Sequence, residues 1–240
     1  MMRLGHWTKR VTLIAIAAGA LQGCATTAGS RQDPAEGFNR AMFAFNDGLD
    51  GIIVRPVAKG YELVVPSPVR TGVANFFANI ADIVIGINDL LQGKPQEAGS
   101  DIGRFVINST AGVLGLVDVA SDLGIEKHDE DFGQTFGRWG AGPGAYVVVP
   151  VFGPRTVRDS AGLVLDLYAD PVGYVDRVAV RNSLVGTRLI SDRAALLPAD
   201  KVIEEAALDK YSYIRDAYLQ MRQYKVYDGN PPRSPDPDAP

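Results

Sequence analysis

The segment spanning residues 67–93 constrains the fold most, because its apolar positions leave only a thin polar side. Ser67-Pro68 is a helix start signal, and Gly93 with Pro95 ends the helix. The apolar positions cover a wide arc: Val69, Val73, Phe76, Phe77, Ile80, Ile83, Val84, Ile87, Leu90 and Leu91. The polar positions are Arg70, Asn75, Asn79, Asp82 and Asp89. Such a helix must bury most of its surface in a protein core or in lipid.

A second amphipathic helix is predicted ahead of this segment. Asp33 fits an N-cap, Pro34 a first helical turn and Glu36 the partner in a capping box. Apolar residues then recur at steps of three and four: Phe38, Met42, Phe45, Leu49 and Ile52. This spacing places them on one face, and we expect the helix to end before Pro56.

The rest of the chain also shows mainly helical patterns. In residues 96–123 apolar side chains surround Arg104 and Asp118, and a break or close backbone approach is expected at residues 108–110. Helical spacing returns at residues 156–166 and 176–197, and the longest late helix is expected over residues 200–224. Because no long run alternates as a strand does, the sequence predicts an all-α single domain with little or no strand.

The N-terminus has the organisation of a lipoprotein signal peptide. Arg3, Lys9 and Arg10 precede an apolar stretch that is too short for a transmembrane helix. Gly23 and Cys24 follow, which supply the small residue and the thiol needed for cleavage before Cys24 and for its lipidation. An ordinary signal peptide with an incidental cysteine is the alternative. Cleavage and lipidation are favoured because Cys24 is the single cysteine of the chain.

Four parts are therefore predicted along the chain: a signal peptide over 1–23, a polar tether over 24–32, a helical domain over 33–227 and a Pro-rich disordered tail over 228–240.

Two or more acyl chains bind a bilayer durably. Ala25 stands where an aspartate would be the usual signal for inner-membrane retention. By resemblance to that sorting rule, we expect the periplasmic face of the outer membrane.

Composition excludes several classes of function. The hydrophobic fraction of 46% argues against a disordered chain, and the net charge of −4 argues against a nucleic-acid partner. A single cysteine allows no internal disulfide. No GxxxxGK[ST] loop is present, which excludes ATP hydrolysis by that route. No cofactor is predicted.

His128 is the one histidine after the signal peptide, and it lies in the charged run of residues 126–131. Because lipid takes the cysteine, Cys/His zinc sites and Cys–His nucleophile pairs are excluded. The run matches no EF-hand loop. A solvated acidic loop is therefore favoured over a metal or catalytic site, and we predict no metal ligand and no catalytic residue.

Gly140, Gly142 and Gly144 lie in a glycine-rich, nearly uncharged stretch that cannot hold a helix. A dinucleotide-binding loop needs a strand before it and a helix after it. Here Pro143 interrupts the glycines and an apolar extended segment follows. A flexible hinge is therefore favoured over a nucleotide site.

Two environments would bury the apolar helices. Periodicity alone favours the core of a soluble domain. The width of the apolar arcs favours helices that lie in the plane of one membrane leaflet, as does the nearly uncharged stretch 132–154, which is not of spanning length.

The start of the predicted domain fits the pattern DPxEGFNRxxxxFN, through Asp33, Pro34, Glu36, Gly37, Phe38, Asn39, Arg40, Phe45 and Asn46. Further matches lie at residues 104–105, 108–110, 117–120, 132–137, 149–154, 156–159 and 215–218. Over roughly residues 33–222 the chain resembles the VacJ/MlaA family of outer-membrane lipoproteins.

The resemblance implies a ring-like helical domain embedded in the inner leaflet of the outer membrane. It implies removal of stray phospholipid from the outer leaflet and transfer to a periplasmic carrier (MlaC-like), beside a trimeric porin. It also implies that the glycine loop at Gly140, Gly142 and Gly144 gates a channel, whose passage the polar helix sides would line. A porin scaffold and a phospholipase relying on His128 are the alternatives.

Overall fold

The computed structural model describes residues 33–232. Gly23 and Cys24, the predicted signal peptide and tether, and residues 233–240 lie outside the described residues. The helices are α1 Glu36–Leu49, α2 Arg55–Val64, α3 Ser67–Gln92, α4 Pro95–Thr110, α5 Val119–Asp122, α6 Phe132–Arg138, α7 Val157–Ala169, α8 Val178–Ala206 and α9 Lys210–Val226. Strands β1 Tyr146–Val149 and β2 Gly153–Thr156 form an antiparallel hairpin. A mostly helical fold with little strand is thus confirmed.

A π-helical turn, Asp50–Val54, joins α1 to α2 in one continuous helical segment. The first α-helix ends at Leu49, before Pro56 as expected, but the helical path continues past the proline, which was not expected. Proline lacks the N–H that an α-helix needs at every interior position. The π turn shifts the register just before the proline, since the N–H of Arg55 donates to the carbonyl of Asp50. The helix accommodates Pro56 in that way.

The expected capping box at the start of α1 does not form. The helix begins at Glu36 without a side-chain cap, and Glu36 pairs with Arg40 at 2.7 Å instead. Asp33 is fully buried, accepts a hydrogen bond from Asn39 Nδ2 at 2.7 Å and accepts another from the hydroxyl of Tyr211 on α9. A tertiary contact thus takes the place of the local cap.

Two asparagines of α1 hold the hairpin against the helix. The amide of Asn39 donates to the carbonyl of Tyr146 at 3.0 Å and accepts from the N–H of Val148 at 2.9 Å. Asn46, two helical turns later, makes the same pair of contacts further along the chain at 3.0 and 2.8 Å. Each amide therefore satisfies one backbone donor and one backbone acceptor of the hairpin, Asn39 within β1 and Asn46 at the end of β1 and the turn that follows.

The elements contact one another in a closed circuit. From α1 the circuit passes through the π turn and α2 to α8, then to α3, α6 and α9, and returns through the hairpin to α1. Helix α4 packs along α3 outside this sequence of contacts, and α7 packs on α6. A buried aromatic and aliphatic cluster of Tyr146, Val148 and Tyr211 lies where the hairpin meets α1 and α9. The connectivity is that of a ring.

The late helices divide differently from the prediction. α8 continues through Pro198, and α9 begins where the side chain of Asp209 accepts from the N–H of Tyr211. The prediction of one helix over residues 200–224 is therefore wrong, because the break lies beyond Pro198 rather than beside it. The predicted tail also begins within the fold, since Asp228 contacts Lys94 and lies 3.6 Å from Arg138.

Replacing Asn39 with alanine should reduce the free energy of unfolding by about 2–4 kcal/mol, because buried backbone groups of β1 and the carboxylate of Asp33 lose their partner. Denaturant unfolding of the purified protein in detergent measures this change. Asn75→Ala is the matched control, since Asn75 makes a single longer contact of 3.3 Å to the carbonyl of Leu116. Equal losses in the two variants would contradict the role assigned to Asn39.

Candidate functional site

The distribution of polar and apolar side chains is inverted relative to a soluble domain. Ten of the twelve largest fully buried side chains in the described part of the chain are polar or charged, and the exceptions are Tyr146 and Val148. Large apolar side chains are more than half exposed on several helices and loops: Ile52, Ile53, Leu63, Val64, Val113, Leu114, Val164, Tyr168 and Val202. Apolar surface on this scale marks contact with protein or membrane.

The polar side of α3 faces α4 and is buried there. Asp82 is 1% exposed and contacts Lys127, while Asn79 Nδ2 donates to Ser109 Oγ at 2.9 Å. Asn75, Asn79, Asp82 and Asp89 recur at steps of three, four and seven, so they follow one stripe. We expected such residues to line a passage. In this structure Asn79, Asp82 and Asp89 are buried on the side of α3 that faces α4. The exposed part of the apolar arc consists of Val69, Ile87, Leu90 and Leu91, whereas Phe77 is buried.

Arg104 of α4 is the centre of this buried contact, which we call the polar seam. Its guanidinium donates to both oxygens of Asp118 at 2.8 Å, and donates to the carbonyl of Ile125 at 2.6 Å. Asp82 Oδ2 lies 3.8 Å from its Nε. Asn108 also donates to Asp118, at 2.9 Å. The seam therefore ties α3 and α4 to the chain that follows them.

Two glycines let the helices of the seam approach. A Cβ on Gly86 would lie 2.8 Å from Cγ1 of Ile102. Gly115 has φ +86° and lies against Asn79, where a Cβ would be 2.6 Å from the amide nitrogen. The close approach expected near residues 108–110 is thus present, because α4 ends at Thr110 and the chain folds back onto α3.

The connection after α4 carries an exposed apolar tip in a strained conformation. Val113 and Leu114 have φ of 54° and 58°, and they are 62% and 70% exposed. A β-branched residue in the left-handed region is an outlier that costs of order 1–3 kcal/mol. Val151, at the hairpin turn, repeats the combination with φ 70°. Neither strain nor exposure is explained by packing within the described residues.

The acidic run at residues 126–131 is solvated only in part, because Glu126, Lys127 and Asp129 are exposed as expected whereas Glu130 is buried. His128 Nδ1 lies 2.7 Å from Asp101 Oδ2, and Glu130 Oε1 accepts from Lys94 at 2.9 Å. Asp89 lies fully buried beside Asp101, and burial, followed by the charge of Asp101, raises its pKa to about 7. Sequence patterns did not indicate Asp101 as a member of this cluster, because its partners come from two distant segments.

The N-cap of α6 anchors α9. Asp131 accepts from the N–H of Gln134 at 2.9 Å, and both of its oxygens accept from Arg222, at 2.5 and 2.6 Å. Arg222 Nε also lies 3.1 Å from Asp159. Although burial raises the pKa of Asp131, hydrogen bonds and the charge of Arg222 lower it overall. These ion pairs join α9 to α6, through Asp131, and to α7, through Asp159.

The predicted gating loop crosses a cavity of about 380 Å³ beside α9. Gly140 (φ +94°) follows the end of α6, and its N–H donates to the carbonyl of Gly137 at 3.0 Å. Gly144 (φ +68°) lies against Val157. A Cβ added to Gly142, between them, would meet nothing within 4 Å. The loop is therefore held at both ends and open in the middle.

A larger apolar cavity, of about 700 Å³, lies between α2 and α8. It is open to solvent on one side. Its lining includes Tyr61, Val64, Ser183, Thr187 and Ile190. Apolar walls with a few hydroxyl groups suit a ligand with a hydrocarbon part and a polar part.

The seam should make stability depend on acid through Asp118. Burial raises the pKa of Asp118, but hydrogen bonds from Ser121, Asn108 and then Arg104 lower it to about 2. Since this is below the unfolded value of about 3.9, the stabilisation is full above about pH 4 and is lost as the pH falls toward about 2.

We therefore expect Asp118→Asn to lower the free energy of unfolding by about 1–2 kcal/mol at about pH 7, and by much less at about pH 2.5. Unfolding curves of both proteins across this range measure the difference. A difference independent of pH would contradict the assignment to the ionised carboxylate.

Comparison with known proteins agrees with the motif resemblance. The MlaA lipoprotein family model matches residues 31–225. The intermembrane phospholipid transport system lipoprotein MlaA of Escherichia coli is 33% identical, covering 96% of this chain and 94% of its own length. The protein of the same name from Haemophilus influenzae is 35% identical, covering 92% of each chain.

A solved structure, described as the structural basis for maintenance of bacterial outer membrane lipid asymmetry, has a TM-score of 0.71 to this chain. It is 34% identical in sequence and covers 83% of this chain and 100% of its own. An uncharacterized protein of Rickettsia typhi is 34% identical over 195 residues, or 81% of this chain and 78% of its own length. The family model, the relatives and the shared fold together show that this chain belongs to the MlaA lipoprotein family.

Proposed function

We propose that this protein is a non-enzymatic outer-membrane lipoprotein that removes mislocalised phospholipid from the outer leaflet and passes it to a periplasmic carrier. The observation that carries the proposal is the inverted side-chain distribution, with polar groups buried in the seam and apolar groups exposed around the ring. Acyl chains solvate apolar side chains without the penalty that water imposes. The name of the E. coli relative supports phospholipid as the substrate.

The ring is proposed to lie in the inner leaflet of the outer membrane. Among the described helices, α3 has the length and composition to cross a bilayer. However, Asp82 and Asp89 are buried on its polar side, and spanning segments avoid such ionisable groups except where protein covers them. α3 is thus as well suited to lie beside α4 in one leaflet. Lipidation of Cys24, after cleavage at Gly23, would deliver the domain to the membrane.

The cavity between α2 and α8 is the best-supported place for a phospholipid. Val64 and Ile190 offer apolar surface to an acyl chain, and Ser183 and Thr187 offer hydroxyl groups to the polar part. A headgroup moving between leaflets loses its water unless polar groups or a wetted passage replace it. The polar seam is already buried in α3–α4 packing, which leaves this cavity and the space beneath the glycine loop as the candidate route.

A periplasmic carrier (MlaC-like) and a trimeric porin are proposed partners, on the strength of the family alone. The exposed tips at Val113, Leu114 and Val151 are available for either bilayer or porin contact. Packing within the described residues does not require their strained backbone, which is consistent with contacts to a bilayer or a partner protein.

The phospholipase alternative needs a nucleophile activated by His128. Asp101 orients the ring through Nδ1, as it would in a hydrolase. Within residues 33–232, however, no hydroxyl group is hydrogen-bonded to the other ring nitrogen. Lysophospholipid produced by the purified protein would favour the enzyme. The porin-scaffold alternative predicts an envelope defect without phospholipid in the outer leaflet.

Deleting the gene should raise the phospholipid content of the outer leaflet, and expression of the intact protein should restore it. Surface labelling of phosphatidylethanolamine with a membrane-impermeant amine reagent measures this content. An unchanged level would contradict the transport proposal.

The same assay tests the leaflet embedding. A double variant, Ile52→Gln with Leu63→Gln, should fail to restore asymmetry, because both side chains are exposed (79% and 88%) and would lose their contact with acyl chains. Lys59→Gln, an exposed position on the same helix, is the control and should restore it fully.

Transport should depend on the backbone freedom of the glycine loop at Gly142. Gly142→Ala meets no steric obstacle, so the fold should be retained with a melting temperature close to that of the native protein. If the loop gates the route, the loss of backbone freedom should slow transport several-fold in the labelling assay. Gly37→Ala, which is equally unobstructed but lies within α1, is the control. Equal transport by both variants would argue against gating.

A further inference from the structure

Three segments bring a carboxylate, a second carboxylate and an imidazole together beneath the surface. Asp89 comes from the end of α3, Asp101 from α4, and His128 from the loop before α6. One ligand atom from each lies within 4.8 Å of the other two. Asp89 and Asp101 are fully buried, and His128 is 20% exposed. This geometry occurs away from the cavities considered above.

No lysine or arginine of the described residues balances the charge of this cluster, in which His128 lies beside Asp101. Within residues 33–232, neither oxygen of Asp89 accepts a hydrogen bond from an N–H or hydroxyl donor, its neighbour is the carboxyl group of Asp101, and no lysine or arginine pairs with Asp89 or Asp101. The nearby cations, Lys94, Arg104 and Lys127, pair with other carboxylates. A buried carboxylate without a partner is unfavourable, so it takes up a proton or a cation.

We propose that Asp89, Asp101 and His128 bind a divalent transition-metal ion, for which Zn²⁺ is the representative. Two carboxylates and one neutral imidazole form a ligand set that zinc accepts, with a water molecule in the fourth position. Two negative charges match the charge of the ion. Tetrahedral zinc places its ligand atoms about 3.3 Å apart, which side-chain rotation can reach from the present spacing.

An all-oxygen set is also close together, formed by Asp89, Glu97 and Glu130. Such a set would suit calcium. The ammonium group of Lys94 already lies 2.9 Å from Glu130 and 3.6 Å from Glu97, so a protein cation already pairs with two of the three members. The set that includes His128 is therefore favoured, and with it a transition metal over calcium.

The consequence of such a site would be mechanical. His128 is part of the connection from α5 to α6, whereas the carboxylates belong to the α3–α4 hairpin. A bound ion would fasten the connection to the hairpin and would hold α6 in the circuit of helices. The ion would thus stabilise the arrangement of the helices, and this proposal does not depend on the proposed lipid transport.

The full-length lipidated protein in detergent, stripped with EDTA and dialysed, is titrated with ZnCl₂ in a calorimeter and, in parallel, with CaCl₂. We expect one Zn²⁺ per chain, a higher melting temperature on binding, and zinc affinity at least about a hundredfold above that of calcium because of the imidazole. Absence of saturable zinc binding would overturn the proposal and would assign a proton to Asp89.

Variants identify the ligands. Asp89→Asn and His128→Gln should each weaken zinc binding by at least about tenfold. Asp129→Asn, in the same loop but highly exposed and paired with Lys225, should leave the affinity unchanged. In EDTA, Asp89→Asn should melt no lower than the native protein, because it removes a buried charge without a partner. Zinc binding that survives His128→Gln at full affinity would overturn the assignment of the site.

Discussion

The packing of α3 against α4 through polar side chains is the constraint on which the rest of the molecule depends. Arg104 is almost fully buried and needs both Asp118 and the carbonyl of Ile125 to satisfy its guanidinium. Once the polar stripe of α3 is turned inward to meet it, part of the apolar arc of that helix, at Val69, Ile87, Leu90 and Leu91, remains exposed. An exposed apolar surface of this kind favours contact with protein or with membrane.

The same constraint explains why polar contacts rather than apolar packing define the ring. Lipid tails are as apolar as leucine, so helices in lipid gain little from burying apolar surface against one another. Hydrogen bonds and ion pairs must then specify which elements meet. Asn39 and Asn46 fix the hairpin against α1, Asp33 holds α9 through Tyr211, and Arg222 of α9 holds α6 through Asp131. The motif residues that mark the family therefore act here in construction of the ring.

The sequence predicted where the helices begin and end more reliably than which face of each helix is buried. The start of α3 at Ser67, its end at Gly93 and the break at Thr110 follow from local signals, and all three were predicted. Periodicity also identified the polar stripe of α3, but a period of 3.6 does not say which face is inside. The capping role of Asp33 and the exposure of His128 were misjudged, because their partners, Tyr211 and Asp101, are distant in sequence and no local pattern indicates them. No local pattern indicated the π turn ahead of Pro56 either.

On the proposed placement in a leaflet, the buried acidic cluster and the strained apolar tips distinguish this ring from a soluble core. In water, a chain can hide Val113 and Leu114 and expose Asp89 at little cost. In a leaflet the preferences reverse, so the apolar tips can remain outside while the carboxylates must remain inside. Carboxylates enclosed in this way need positive charge from a source that fits the space. Where lysine and arginine are already paired, a small ion or a proton is what remains, and the choice between them sets how firmly the loop at His128 is held.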